Sequence, residues 1–355
     1  MKILSFKREF SVGEEGISET KTIIIGGIPQ TILIQTANRH NPVLLFLHGG
    51  PSMPLPGVCC RSQEYTGVLT TKELVKHFTV VFWDQRGTGK SYRSDTPASS
   101  FHVRQFIEDT NELIDYLRNT FQQEKIVLAA HSWGTVLGLH LAYEKPEKLY
   151  AYIGVSQIIN WAENDRLCRE WALKEAYRRN NKKAIQELEG VGEPPYLESF
   201  EQWGTLRRWL LRFNSMIYTD TTVKHPGMAG MAKIMLRSPD YSLGDIVNSL
   251  YRGFKLSYTQ RMIEDLSGIN FFKEDAKLEI PVYFIHGKKD VHVNGKLVEE
   301  YLNKVEAPNG MQLHWVEKSS HLFHPDDARI IEQLIIQKAE IFKDQAIPDA
   351  EKTPV

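Results

Sequence analysis

The chain has little of what commits a sequence to a special environment. It carries three cysteines, Cys59, Cys60 and Cys168, in 355 residues, too few for a disulfide framework in a protein of this size. Cys59 and Cys60 are adjacent, so they lack zinc-ligand spacing, and no H-E-x-x-H or other spaced set of His, Cys and carboxylates suggests a metal. The expectation is reduced thiols, with no metal and no cofactor. Neither sign of charge dominates: 43 Lys and Arg stand against 44 Asp and Glu, a formal net charge of −1. That balance argues against nucleic acid or an anionic membrane as the main partner. Long apolar runs are missing too, the longest being "VLLFL" at 43–47, far short of a membrane span. The start, "MKILSFKREFSVGEEG", has no apolar stretch of leader length and soon turns acidic. A soluble cytoplasmic protein is expected, of open oligomeric state. No internal period of roughly 20–50 residues recurs.

What is present is ordinary globular composition, 42% hydrophobic and 25% charged, arranged in a legible order. "KTIIIGGIPQTILIQT" is two β-branched runs joined at Gly26-Gly27, a hairpin signal. "PVLLFLHGG" and "FTVVFWDQRG" are short apolar runs ending in glycine turns, as expected of strands covered on both faces. Val103, Phe106, Ile107, Leu113, Ile114 and Leu117 recur at helical spacing. "KIVLAA", a helix from Trp133 to about Tyr143, and "LYAYIGVS" follow. Alternating strand and helix is the grammar of a mostly parallel sheet. From about Trp161 to Phe272 it stops, and helical patches rich in Arg, Glu, Trp and Leu take its place. It returns with "IPVYFIHG", a helix near 294–305, "MQLHWVE" and a last helix from about Asp326. The organisation predicted is an α/β core over 1–157 and 276–345, a helical cap over 158–275, and a polar tail at 346–355. A cap inserted there sits over the carboxyl ends of the strands, where ligands bind in open α/β sheets.

Chemistry-bearing residues fall at those strand ends. In "AAHSWGT" a strand runs through a sharp turn into a helix, the context that presents a serine hydroxyl, here Ser132. Ala130 occupies the first position of the G-x-S-x-G pattern and Gly134 the last. Ser132 is alternatively a helix N-cap. A nucleophilic serine needs a base and an orienting carboxylate. Asp290 follows the strand "PVYFIHG" and His321 follows "MQLHWVE", at the same sheet edge as Ser132. Asp290 also suits helix capping. His324 is the rival base, but it abuts Pro325, whereas His286, His292 and His314 are expected to lack a catalytic role. "LHGGPS" supplies consecutive glycines whose backbone can aim an N–H at an oxyanion, which makes Gly50 one donor and Trp133, next after Ser132, the other. "DQRGTGKS" ends like a phosphate-binding loop, yet Asp84 stands where its first glycine belongs. Asp84 and Arg86 are instead expected to pin this loop by hydrogen bonds and an ion pair.

"HGGP", "FWDQRGTGKS", "HSWGT", the late Asp290 and His321, and the helical cap together resemble the proline iminopeptidase-type α/β-hydrolases, over nearly the whole chain. The resemblance implies an α/β-hydrolase fold and cofactor-free release of an N-terminal residue, often proline, from short peptides. It makes Ser132 the nucleophile, His321 the base, Asp290 its orienter, and Gly50 and Trp133 the oxyanion donors. Ser52 and Ser320 stand where that family usually carries glycine. The Trp-Glu pair that often holds the substrate ammonium is absent, since Leu210 follows Trp209; Glu198 or Glu201 is an alternative anchor. A small peptide or an ester is therefore the expected partner, with carboxylesterase or a non-catalytic ligand-binding protein as the alternatives.

Overall fold

Two β-branched runs separated by two glycines close into a hairpin, β1 (Ile17–Ile25) and β2 (Ile28–Thr36). Gly26 and Gly27 both take positive φ, which the two-residue turn requires. The computed structural model describes residues 8–346. Within them follow β3 (Val43–Leu47), β4 (Thr79–Asp84), β5 (Ile126–His131), β6 (Leu149–Val155), β7 (Val282–Gly287) and β8 (Met311–Val316). They form an eight-stranded sheet in the order β1-β2-β4-β3-β5-β6-β7-β8. The β1·β2 and β2·β4 pairings are antiparallel and all others are parallel. All five residues of β3, and all six of β4 and of β5, are buried. Crossover helices cover both faces of parallel strands, so their apolar runs are continuous rather than alternating.

The helices of the core are α1 (Leu74–His77), α2 (Val103–Phe121), α3 (Trp133–Glu144), and, after the insertion, α11 (Gly295–Leu302) and α12 (Pro325–Ala346). In α2 the predicted stripe Val103, Phe106, Ile107, Leu113, Ile114 and Leu117 is the buried face. A side-chain bond from His102 caps its start and a left-handed Gln122 ends it. Between β6 and β7 lie α4 (Trp161–Arg178), α5 (Lys182–Gly190), α6 (Phe200–Arg212), α7 (Gly227–Arg237), α8 (Leu243–Val247), α9 (Gly253–Ser257) and α10 (Gln260–Gly268). Side chains of Asn160, Asn181, Ser199, Ser242 and Thr259 cap five of these. The insertion leaves and rejoins the sheet at one place. Asn160 bridges Asn270, Trp161 N–H donates to Ile269 O at 3.0 Å, and Phe271 N–H donates to Ile159 O at 2.9 Å. The tail expected at 346–355 falls, from 347 on, outside the described residues. Among the described residues no helix is long and apolar enough to cross a membrane.

The loop after β4 is pinned differently from the expectation. Arg86 pairs with Asp109 of α2 and not with Asp84: Nε–Oδ2 is 2.8 Å and Nη2–Oδ1 2.9 Å, both groups fully enclosed. Gln30 joins the same carboxylate at 2.8 Å, and Arg86 Nη2 donates to Gly26 O, so one ion pair fastens hairpin, loop and helix. Asp84 accepts from the N–H groups of Val58 and Lys90 and from the hydroxyl of Tyr241, which belongs to the insertion.

Candidate active site

β5 delivers Ser132 at the carboxyl edge of the sheet, and the backbone there turns through φ 53°, ψ −120°. A serine in this sparsely populated region is strained. Its hydroxyl makes no capping bond to α3; instead Oγ lies 2.9 Å from His321 Nε2. The turn needs Gly134, because a Cβ there would sit 2.6 Å from Leu47 O. Ala130 fits as a buried strand residue paired with Leu47 on one side and Gly154 on the other. A glycine is thus demanded after the serine and not before it.

β7 and β8 deliver the other two groups. His321 Nδ1 lies 2.9 Å from Asp290 Oδ2, and both residues are buried. Asp290 Oδ2 also accepts from Ser156 Oγ at 2.9 Å, while Oδ1 accepts from the N–H groups of His292 and Val293, each at 2.9 Å. Burial alone would raise this carboxyl; the neighbouring His321, His286 and these donors outweigh it and hold Asp290 well below the usual carboxylate range. Asp290 therefore stays charged and holds the ring proton of His321 on Nδ1, leaving Nε2 free to accept from Ser132. His324 does not reach the site: its Nδ1 accepts from Asp326 N–H at the start of α12.

Further histidines hold the scaffold in neutral form. His48 Nδ1 lies 2.7 Å from Gly49 O and its Nε2 accepts from Gln85 N–H, which joins the loops after β3 and β4. Burial pushes His48 down to about 4. His131, forced well below its usual range by burial and by the neighbouring His321, supports the backbone carbonyl of His321 through Nε2 at 3.1 Å. Ser320, in place of the usual glycine, sets its hydroxyl 2.5 Å from Ser215 O of the insertion and 2.9 Å from Lys289 O.

A cavity of about 70 Å³ opens over Ser132. Its floor is Gly50, Ser132 and Trp133, and the insertion roofs it with Trp161, Asp165, Trp203, Arg207 and Tyr258. Gly50 takes φ 126°, accessible to glycine alone, and a Cβ on Gly49 would lie 3.2 Å from that of Ser132. Tyr258 donates its hydroxyl to Gly50 O at 2.7 Å, tying the roof to the floor. Trp133 opens α3, where a first-turn N–H has no partner within the helix. Neither expected ammonium anchor is present: Glu198 and Glu201 are exposed and do not line the cavity. The carboxylate that does line it, Asp165, is held on both oxygens by Arg207, at 2.6 and 2.9 Å.

His292, expected to be idle, also lines the cavity and stacks on His321 with ring centroids 4.7 Å apart. Asp165, Arg207, Trp161 and Tyr258 escaped prediction because helical periodicity marks them as cap residues without saying what they face. Tryptophan and arginine clustering in "WGTLRRWLLR" was the available signal. Among the described residues no group of three or more His, Cys, Asp or Glu is placed to hold a metal ion.

Comparison with known proteins adds the lineage. A protein of Bacillus subtilis (strain 168) named "Probable aminopeptidase" is 28% identical over 327 residues, spanning 92% of this chain and 98% of its own. The solved structure of a proline iminopeptidase-related protein from Thermus thermophilus superposes with a TM-score of 0.61 at 19% identity, over 93% of this chain and 100% of that one. An epoxide hydrolase from Vigna radiata does so with a TM-score of 0.53 at 19% identity, over 92% and 98%. Residues 42–328 match the alpha/beta hydrolase fold family, the span that carries both the HGG turn and the site histidine, and this chain belongs to that family.

Proposed function

We propose that this protein is a serine hydrolase that cleaves a small amide or ester through an acyl-enzyme. The observation that carries the proposal is the unbroken relay Asp290–His321–Ser132, with 2.9 Å at each step. Ser132 Oγ attacks the carbonyl carbon as His321 Nε2 takes its proton. The resulting oxyanion faces the N–H groups of Gly50 and Trp133. Collapse expels the amine or alcohol, which leaves with the proton held by His321, and water then cleaves the acyl-serine by the same exchange. Residues 1–157 and 276–345 supply this chemistry, and residues 158–275 select the substrate.

The cavity over Ser132 is small, about 70 Å³, which suits a small acyl group. Release of an N-terminal residue from a short peptide accords with that size and with the name of the Bacillus subtilis relative. The second possibility, an acyl group with no free amine, is favoured by the commitment of Asp165 to Arg207. Ser132→Ala is expected to lower kcat by about 10⁴-fold or more, and a fluorophosphonate is expected to label the wild type at Ser132. Normal turnover by the alanine variant on any substrate that the wild type hydrolyses would refute the proposal. A panel of free-amine prolyl and alanyl anilides beside simple acyl esters separates the two acyl classes.

A further inference from the structure

The roof of the cavity is rich in hydrogen-bond donors that lack acceptors. Arg207 has five N–H groups, of which those to Asp165 engage one edge of the guanidinium. The guanidinium lies 4.3 Å from the ring centre of Trp203 and 5.6 Å from that of Trp161, so it is held flat before any substrate arrives. Trp203 is 3% exposed, lines the cavity, and its Nε1 has no acceptor. Trp161 Nε1 has no hydrogen-bond partner either. His292 Nδ1 is also without a partner and, as a neutral imidazole, matches a group of either kind. On the acceptor side, the Asp165 oxygens are taken by Arg207, and Gly50 O by Tyr258. An ammonium would add a second positive charge beside Arg207 and find no free carboxylate.

We propose that Arg207 and Trp203 form an acceptor-binding subsite, so that the preferred acyl group carries an oxygen acceptor at the end remote from the scissile carbonyl. The proposal rests on Ser132 being the nucleophile, and it names the substrate class of that site. Asp165 acts as a positioning residue that fixes the guanidinium. The physical reason is the cost of leaving a buried donor unpaired: a site built to bond an oxygen discriminates strongly against a hydrocarbon of the same size.

The test uses two p-nitrophenyl esters with equal numbers of acyl heavy atoms, N-formylglycyl and pentanoyl, each corrected for its rate in buffer. Wild type is expected to favour the N-formylglycyl ester in kcat/KM by roughly 10²-fold. That ratio is expected to fall about tenfold in Trp203→Phe, which keeps the ring and removes the donor. It should fall further in Asp165→Leu/Arg207→Met, which removes the ion pair without stranding one charge. The free acids, N-formylglycine and pentanoate, provide a measurement on wild type alone, and the first should be the tighter competitive inhibitor. Equal inhibition by the two acids, or an ester ratio unchanged in both variants, overturns the subsite. Ser132-independent turnover of the pentanoyl ester would instead overturn the serine hydrolase, so the two failures are distinct.

Discussion

Ser132 is a serine held where glycine would rest more easily. Its φ of 53° represents strain of about 1–3 kcal/mol, maintained because the neighbouring strand and helix leave the turn no alternative. Ser132→Gly should therefore abolish turnover and raise stability by about 1 kcal/mol, a gain measurable by urea unfolding. A loss of stability in that variant would mean the turn is relaxed. Asp290 bears the opposite burden, since four donors converge on a buried carboxylate. Asp290→Asn keeps the shape but not the charge, and should lower kcat by about 10⁴-fold with little change in KM, as steady-state kinetics would report. Ser132 and Asp290 were legible in the sequence because each follows a largely buried strand that ends at the sheet edge, and His321 because it follows the next strand, β8, which is half-buried at the end of the sheet. His292 was not legible. It lies two residues beyond Asp290, and nothing in "DVHVN" tells which way a loop histidine turns.

At the scale of elements, two contacts carry more than their own loops. The Arg86–Asp109 pair joins the β1–β2 hairpin, the turn after β4 and α2. Removing one partner leaves a buried charge, so Arg86→Met is expected to cost about 3–5 kcal/mol, with much of it recovered in Arg86→Met/Asp109→Leu; denaturant midpoints of the two variants decide this. The sequence placed Arg86 in a structural role but suggested the nearer Asp84 as its partner, since the true partner lies a helix away and only the crossover brings it close. Tyr258, reaching from the insertion to Gly50 O, sets the orientation of the loop proposed to bind the oxyanion. Tyr258→Phe should lower kcat about tenfold and leave the unfolding midpoint nearly unchanged.

For the whole molecule, the question is how the insertion stays seated over the sheet. One fastening is Asp84, whose buried carboxylate takes the Tyr241 hydroxyl at 2.6 Å. Burial raises Asp84 to about 6, against the opposing effect of its three donors. A carboxyl raised on folding adds stability below its unfolded value and loses it as pH climbs through the folded one. The contribution at stake is about 3 kcal/mol at most. The stability gap between wild type and Asp84→Asn should hence be widest near pH 4 and shrink by about pH 7; a gap that widens with pH would contradict this. The layering itself, sheet strands interrupted by a helical block, was legible because the period of the apolar residues changes from runs to helical spacing. What the roof presents to the cavity was not. Asp165 and Arg207 lie on different helices, and their meeting depends on how α4 and α6 pack.

The insertion leaves and re-enters through a neck two chain segments wide, between strands that are themselves neighbours in the sheet. Topologically it is a cassette, because exchanging everything between Ile159 and Phe271 would reroute no strand and cross no other connection. A change of substrate is thus open to this architecture by replacement of the roof as a block, provided that the new roof again meets Gly50 O, Asp84 and the loop that carries His321.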